Sequence, residues 1–162
     1  MDALCYTPIG IIHTPHTDPG KTPVQPVFAR GVRGEVELEP GFVEGLADLD
    51  GFSHVILIYH LHRAPAARLT VVPYLEDVPH GLFATRAPCR PNPIGLSVVR
   101  LDSIEGNVLV VDGVDMLDGS PLLDVKPYVP RFEETAGVRC GWLDRVDAAT
   151  AERRGRREAS GD

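Results

Sequence analysis

Two short segments concentrate the side chains whose types and spacing suit ligand chemistry. The first is Ala84-Thr85-Arg86-Ala87-Pro88-Cys89-Arg90-Pro91-Asn92-Pro93-Ile94-Gly95-Leu96-Ser97. Its three prolines fix their own φ and push Ala87, Arg90 and Asn92 towards extended backbone. The spacing predicts a stiff loop, kept out of any central sheet, that loses little entropy when a ligand binds. Arg86 and Arg90, four positions apart, offer planar forks for a carboxylate, a phosphate or an acidic partner. The plainer reading is a structural turn with its arginines in surface ion pairs.

The second segment runs from Asp115 to Tyr128. Asp118-Gly119-Ser120-Pro121 is turn chemistry, with Asp for an Asx-turn and Gly for positive φ. Beyond it, simple alternation puts Leu122, Asp124, Lys126 and Tyr128 on one strand face. A carboxylate, an ammonium and a phenol in a row can orient a base or an amine; the alternative is a salt bridge at a sheet edge. Thr22-Pro23-Val24-Gln25-Pro26 is a third, proline-rich extended stretch that says little alone. His60 and His62 fall on one face of an apolar strand and are expected to be buried, hydrogen-bonded structural histidines.

The elements that must position these residues are mostly β. Strand-like runs are Tyr6 to Thr14, Val32 to Leu38, Ser53 to His62, Ser97 to Ile104, Val108 to Val114 and Leu122 to Tyr128. Val32 to Leu38 alternates apolar and charged residues, the mark of a half-buried strand. Ser53 to His62 is almost continuously apolar, as a strand buried on both faces would be. Glu105-Gly106-Asn107 joins two β-branched runs and signals a hairpin. Pro40 to Leu46 has room for one or two helical turns, and the Ala-, Arg- and Glu-rich stretch from Leu143 to Arg157 is either helical or frayed. Ala159-Ser160-Gly161-Asp162 reads as disordered. The expected fold is mainly β: a small β-barrel with short helices over 1–135 and an Arg-rich C-terminal extension over 136–162 that is not an independent domain.

Composition narrows the function. The 162 residues suit one domain with a real core. No apolar run approaches a membrane span and no signal-peptide pattern opens the chain, so a cytoplasmic protein is expected. With 16 basic and 23 acidic residues the net charge is −7, which argues against non-specific coating of nucleic acid but not against a local basic patch. Cys5, Cys89 and Cys140 are too few and too scattered for a disulfide framework or a zinc knuckle. The dinucleotide fingerprint, the P-loop, HExxH and the nucleophile elbow are all missing, and no metal site is expected.

Together these segments resemble the TsaA-like, or TrmO-like, family of S-adenosylmethionine-dependent tRNA methyltransferases. The stretches that carry the resemblance are Ile9 to Pro15, Pro23-Val24-Gln25-Pro26, Gly51-Phe52-Ser53-His54, Ala84 to Ser97 and Asp115 to Pro130. The resemblance implies a β-barrel methyltransferase working as a homodimer, with S-adenosylmethionine as cofactor near the subunit interface. The implied acceptor is N6 of threonylcarbamoyladenosine beside the anticodon, in the anticodon stem-loop of tRNA. By motif position, the implied cofactor contacts are Pro23, Val24, Gln25, His60, Leu61, Arg86, Leu96, Asp118, Gly119, Ser120 and Pro121. Val24 stands where the family's loop often has arginine, which leaves a backbone contact there. Longer bacterial members carry a C-terminal domain that helps with tRNA; here the tail arginines Arg153, Arg154, Arg156 and Arg157 substitute for it, or the substrate differs.

Within that family reading, the chemistry falls to Asp124, Lys126 and Tyr128, with Asp124, Asp115 or water receiving the substrate's proton and Arg90, Asn92, Lys126 and Tyr128 gripping the nucleotide and its threonyl carboxylate. Arg63, Arg68, Arg86, Arg90, Arg131 and the tail would build the RNA-binding surface across a dimer. Competing readings are a methyltransferase acting on a small molecule or a protein, a non-catalytic cofactor- or RNA-binding module, and a ligand-free structural barrel.

Overall fold

Alternation builds the walls of this protein. In the computed structural model, which describes residues 3–157, strand β2 (Arg33–Leu38) turns Gly34, Val36 and Leu38 inward and Arg33, Glu35 and Glu37 to solvent. The other wall strands are β1 (Gly10–His13), β3 (His54–His60), β6 (Ile94–Glu105), β7 (Val108–Asp112) and β8 (Ser120–Pro127). All neighbours are antiparallel, and the six close into a barrel in the order β1-β2-β7-β6-β3-β8. Strands β4 (Thr70–Val71) and β5 (His80–Gly81) form a separate two-stranded ribbon inserted between β3 and β6.

Closure leaves no edge strand to cap, and the inward residues fill the lumen. Ile12, Val36, Val55, Leu57, Val99, Leu109, Val111 and Leu122 are essentially inaccessible to solvent. Val114 and Met116 close one end of this core, and Leu46, from the 3-10 turn Pro40–Leu46, closes on it as well. The expected hairpin is present: Glu105 pairs with Val108, and Gly106 takes φ +66° in the two-residue loop, a conformation that glycine adopts without strain.

Several sequence expectations need correction. Strand β3 is not buried on both faces; Val55, Leu57 and Tyr59 point inward, while Ile56 and Ile58 are half-buried on the outer wall and His60 is exposed. A barrel wall has one dry side only. His62 is exposed too, so neither histidine is a buried structural one. The first strand is shorter than Tyr6 to Thr14. The proline loop stays out of the sheet only as far as Pro93, since β6 begins at Ile94.

The expected row on the last strand is also broken. Leu122 pairs with Tyr59 but Asp124 pairs with Ile58, so Leu123 is an extra residue and the β3–β8 register shifts there. Beyond this bulge the parity inverts. Leu122 lies in the core, whereas Asp124 and Lys126 stand on the outer wall.

After the barrel come α1 (Pro130–Glu133), a 3-10 turn over Gly141–Arg145, and α2 (Ala148–Arg156). Asp147 caps α2, its carboxylate accepting the Thr150 amide at 2.9 Å. The tail is therefore structured through Arg157, and the expectation for Ala159 to Asp162 lies outside the described residues.

Candidate functional site

Antiparallel closure brings the ends of β1, β3 and β7 and the starts of β2, β6 and β8 to the same rim. The stretches carrying most of the expected cofactor contacts meet at that mouth. The loop from Gly113 to Gly119 is laced to the end of β1: Asp118 N donates to His16 O at 2.8 Å, Gly119 N to Ile12 O at 2.9 Å, and Thr14 N to Asp118 Oδ1 at 3.1 Å. Gly119 has φ +76°, so the Asp-Gly turn forms as its residue types require. Ser120 is buried, its hydroxyl donating to Leu117 O at 2.7 Å and lying 3.4 Å from His62 Nδ1.

The proline loop is joined to the same rim, with Leu61 N donating to Pro93 O at 2.7 Å. Arg86 crosses from this loop to the Thr22–Pro26 stretch and donates to Gln25 Oε1 at 2.6 Å. Arg90 is turned back on its own loop, donating to Thr85 O at 3.0 Å, and its guanidinium lies over the Phe83 ring. Asn92 is exposed beside it.

Under the mouth lies a polar chain that the sequence reading did not assemble. Ser97 Oγ donates to Asp115 Oδ1 at 2.5 Å, which leaves the Tyr59 hydroxyl, 3.1 Å from the same oxygen, to donate to Ser97. Gly95 makes this possible, because a Cβ there would lie 2.3 Å from the Tyr59 ring. Burial pushes the Asp115 carboxyl up to about 7, against the opposing pull of the Ser97 hydrogen bond, its own backbone amide and the Arg86 charge. Burial and then the Asp115 charge raise the Tyr59 phenol above its ordinary value, partly offset by Ser97. His62 is lowered by burial, then by Arg63 and His60, with Asp118 acting the other way.

The expected catalytic trio sits elsewhere. Asp124 and Lys126 form an exposed ion pair at 2.7 Å, and Tyr128 stands edge-on to His54. Asp124 is four residues beyond Ser120, roughly 13 Å down the wall at the rise of a β-strand. Leu96 is on that outer wall too, paired with Ile58 and half-exposed. The candidates therefore fall into a mouth group and a wall group. The sequence offers Asp115 as a proton acceptor, but Tyr59 and Ser97 are legible only as polar breaks in apolar runs, and nothing local links the three.

The tail is held against the rest of the protein by its arginines. Arg154 makes two hydrogen bonds to Asp77, at 3.0 and 2.8 Å, and Arg157 donates to Pro19 O and stacks on Tyr74. Arg156 pairs with Glu152. Arg154, Arg156 and Arg157 are thus engaged with partners in the protein itself.

Among the described residues no group of three or more His, Cys, Asp or Glu could hold a metal ion, and no helix is long and apolar enough to cross a membrane. The fold and site thus define a small antiparallel barrel with a polar mouth built from loop contacts. Residues 11–134 match the tRNA-methyltransferase O N-terminal domain, and the chain belongs to that family. It is 56% identical over 142 residues to a Pyrococcus abyssi protein named "Probable S-adenosyl-L-methionine-binding protein", covering 88% of this chain and 77% of that one. Against the tRNA (adenine(37)-N6)-methyltransferase of Escherichia coli it is 30% identical over 159 residues, 92% of this chain and 68% of the other. A crystal structure of TrmO from P. aeruginosa superposes with a TM-score of 0.74 at 40% identity, covering 89% of this chain. The chain spans 63% of that TrmO chain, less than two thirds of its length.

Proposed function

We propose that this protein is an S-adenosylmethionine-dependent methyltransferase acting on N6 of threonylcarbamoyladenosine at position 37 of tRNA, the adenine position for which its E. coli relative is named. The observation that carries the reading is the Arg86–Gln25 bridge set beside the enclosed Asp115 carboxylate, at the rim where the family's motif segments meet.

The donor set fits the cofactor. Arg86 is a guanidinium with one N–H committed to Gln25 and others available to a carboxylate. Asp115 and Asp118 supply negative charge for a sulfonium and an ammonium. The Asp118–Pro121 turn offers backbone groups to a ribose and a base, with Pro23, Val24, His60 and Leu61 around the rim and Leu96 beyond it on the outer wall. When bound, S-adenosylmethionine supplies an electrophilic methyl group. The protein's part is alignment, which rigid loops provide at small entropic cost.

Asp115 is the residue we assign to hold the proton released from the substrate nitrogen. It is poised near neutrality, and Ser97 fixes the orientation of its carboxyl. Asp124, Lys126 and Tyr128 are assigned to gripping the acceptor nucleotide from the wall, together with Arg90 and Asn92 from the loop. The half-exposed Ile94 and Leu96 of β6 support a homodimer. Residues 1–135 form the barrel domain and 136–162 an extension dependent on it, in a cytoplasmic enzyme.

Transfer of labelled methyl from S-adenosylmethionine to threonylcarbamoyladenosine-containing tRNA tests the proposal. Label is expected in that nucleoside, with binding that weakens steeply as salt rises. Incorporation only into protein or small molecules, with tRNA left unlabelled, would overturn it.

A further inference from the structure

The C-terminal segment touches the rim at two points, and both lie next to the Arg86–Gln25 bridge. At the first, Gly155 O accepts the Val24 amide at 2.9 Å, one residue before Gln25. Gly155 is buried against Phe28, and a Cβ there would come within 2.3 Å of the Phe28 ring. No larger residue fits without displacing the Phe28 ring, in the turn that follows Gln25. At the second, the Trp142 indole N–H donates to Ala84 O at 2.8 Å, two residues before Arg86. The Trp142 ring stacks on His80 of β5, with centroids 4.8 Å apart and planes 17° from parallel.

Between and beyond these points the segment is fastened to the inserted ribbon and the preceding loop. Arg154 grips Asp77 with both terminal nitrogens, and Arg157 bridges Tyr74 and Pro19. The Val24 stretch carries little secondary structure of its own. Its Thr22 hydroxyl bonds locally to Asp18 O, and the Gln25 side-chain NH2 donates to the neighbouring Val24 O. Loops with few contacts of their own open at low free-energy cost, so an external fastening decides their order.

We propose that residues 141–157 are a strap that holds the Val24–Gln25 and Ala84–Arg86 stretches in register for the cofactor's amino-acid end, with Gly155 and Trp142 as positioning residues. This rests on the cofactor reading of the mouth. The strap makes no contribution to the reacting atoms. It sets the spacing of the groups that bind, and its loss weakens binding while leaving the barrel intact, since none of its contacts named here is to a barrel strand.

The test uses the full chain and its Gly155→Ala and Trp142→Ala variants. Affinity for S-adenosylmethionine is measured by calorimetry, and amide hydrogen exchange is followed at Val24, Gln25 and Ala84 to Arg86. Gly155→Ala is expected to weaken binding roughly tenfold, in line with the loss of one buried hydrogen bond. The Michaelis constant for the cofactor should rise with kcat nearly unchanged, and barrel melting should be unaltered. Exchange at Val24 should rise sharply even without ligand. Trp142→Phe keeps the stack on His80 but loses the N–H donated to Ala84 O, so it should recover only part of the affinity lost in Trp142→Ala. Wild-type affinity in Gly155→Ala, or unchanged exchange at Val24, overturns the strap. An unaltered protein that binds no S-adenosylmethionine while Val24 is still deprotected in the variant overturns the cofactor reading instead.

Discussion

Asp115 and Asp124 are both carboxylates from one short stretch of chain, yet the barrel gives them opposite surroundings. Asp115 is drawn under the rim, bonded to Ser97 and pushed up to about 7 by burial. Asp124 stands on the outer wall in an exposed pair with Lys126. The difference shows that a titration near neutrality comes from removing water, and that spacing along a strand says nothing about it. A carboxyl near 7 both accepts and releases a proton at neutral pH.

The strongest break in this comparison comes from exchanging the amide for the acid at each site. Asp115→Asn is expected to slow single-turnover methyl transfer by about 10²-fold or more, within the usual range for a lost general base. Asp124→Asn should change the same rate by only a few-fold. Equal losses would dissolve the distinction between mouth and wall. Next in size is Arg86→Ala, which removes both a charge-assisted hydrogen bond to Gln25 and a positive charge that lowers the Asp115 carboxyl. Cofactor binding should weaken by about tenfold or more. The acid-side limb of the pH–rate profile should also move to higher pH, because Arg86 holds the Asp115 carboxyl down.

Stability sharpens the contrast from another side. Between an ordinary carboxyl value and about 7, folded Asp115 keeps its proton while the unfolded chain has released it. The unfolded state thus binds fewer protons, so this group makes stability fall as pH rises through that window. Asp115→Asn should melt several degrees above the unaltered protein at pH 8, and the gap should close towards pH 4. A gap that widens on acidification would contradict the assignment. The smallest effect is expected from Lys126→Ala, which breaks an exposed ion pair and should cost less than about 1 kcal/mol in denaturant melts.

How far the chain announces this arrangement depends on whether a feature is local. The alternation of Val32 to Leu38, the Gly106 hairpin and the Asp118-Gly119 turn are settled by neighbours in sequence, and each forms as read. The Leu123 bulge is set by pairing with β3, so the row Leu122-Asp124-Lys126 could not be resolved by counting in twos. Ser53 to His62 looked doubly buried because its outer residues are apolar, but only one side of a barrel wall faces the core. The Tyr59–Ser97–Asp115 chain joins residues 38 and 18 positions apart, and only closure of the barrel brings them together. The tail's arginines showed their charge but not their partners, which lie in the inserted ribbon and the loop before the barrel's second strand.

The division between mouth and wall is tested most directly by following backbone amide resonances while S-adenosylmethionine is added. The amides of Val24, Gln25, Arg86 and Asp118 to Ser120 should shift together and saturate with one affinity, while those of Lys126 and Tyr128 hold still. Movement at Lys126 and Tyr128 with the rim unperturbed would contradict the account.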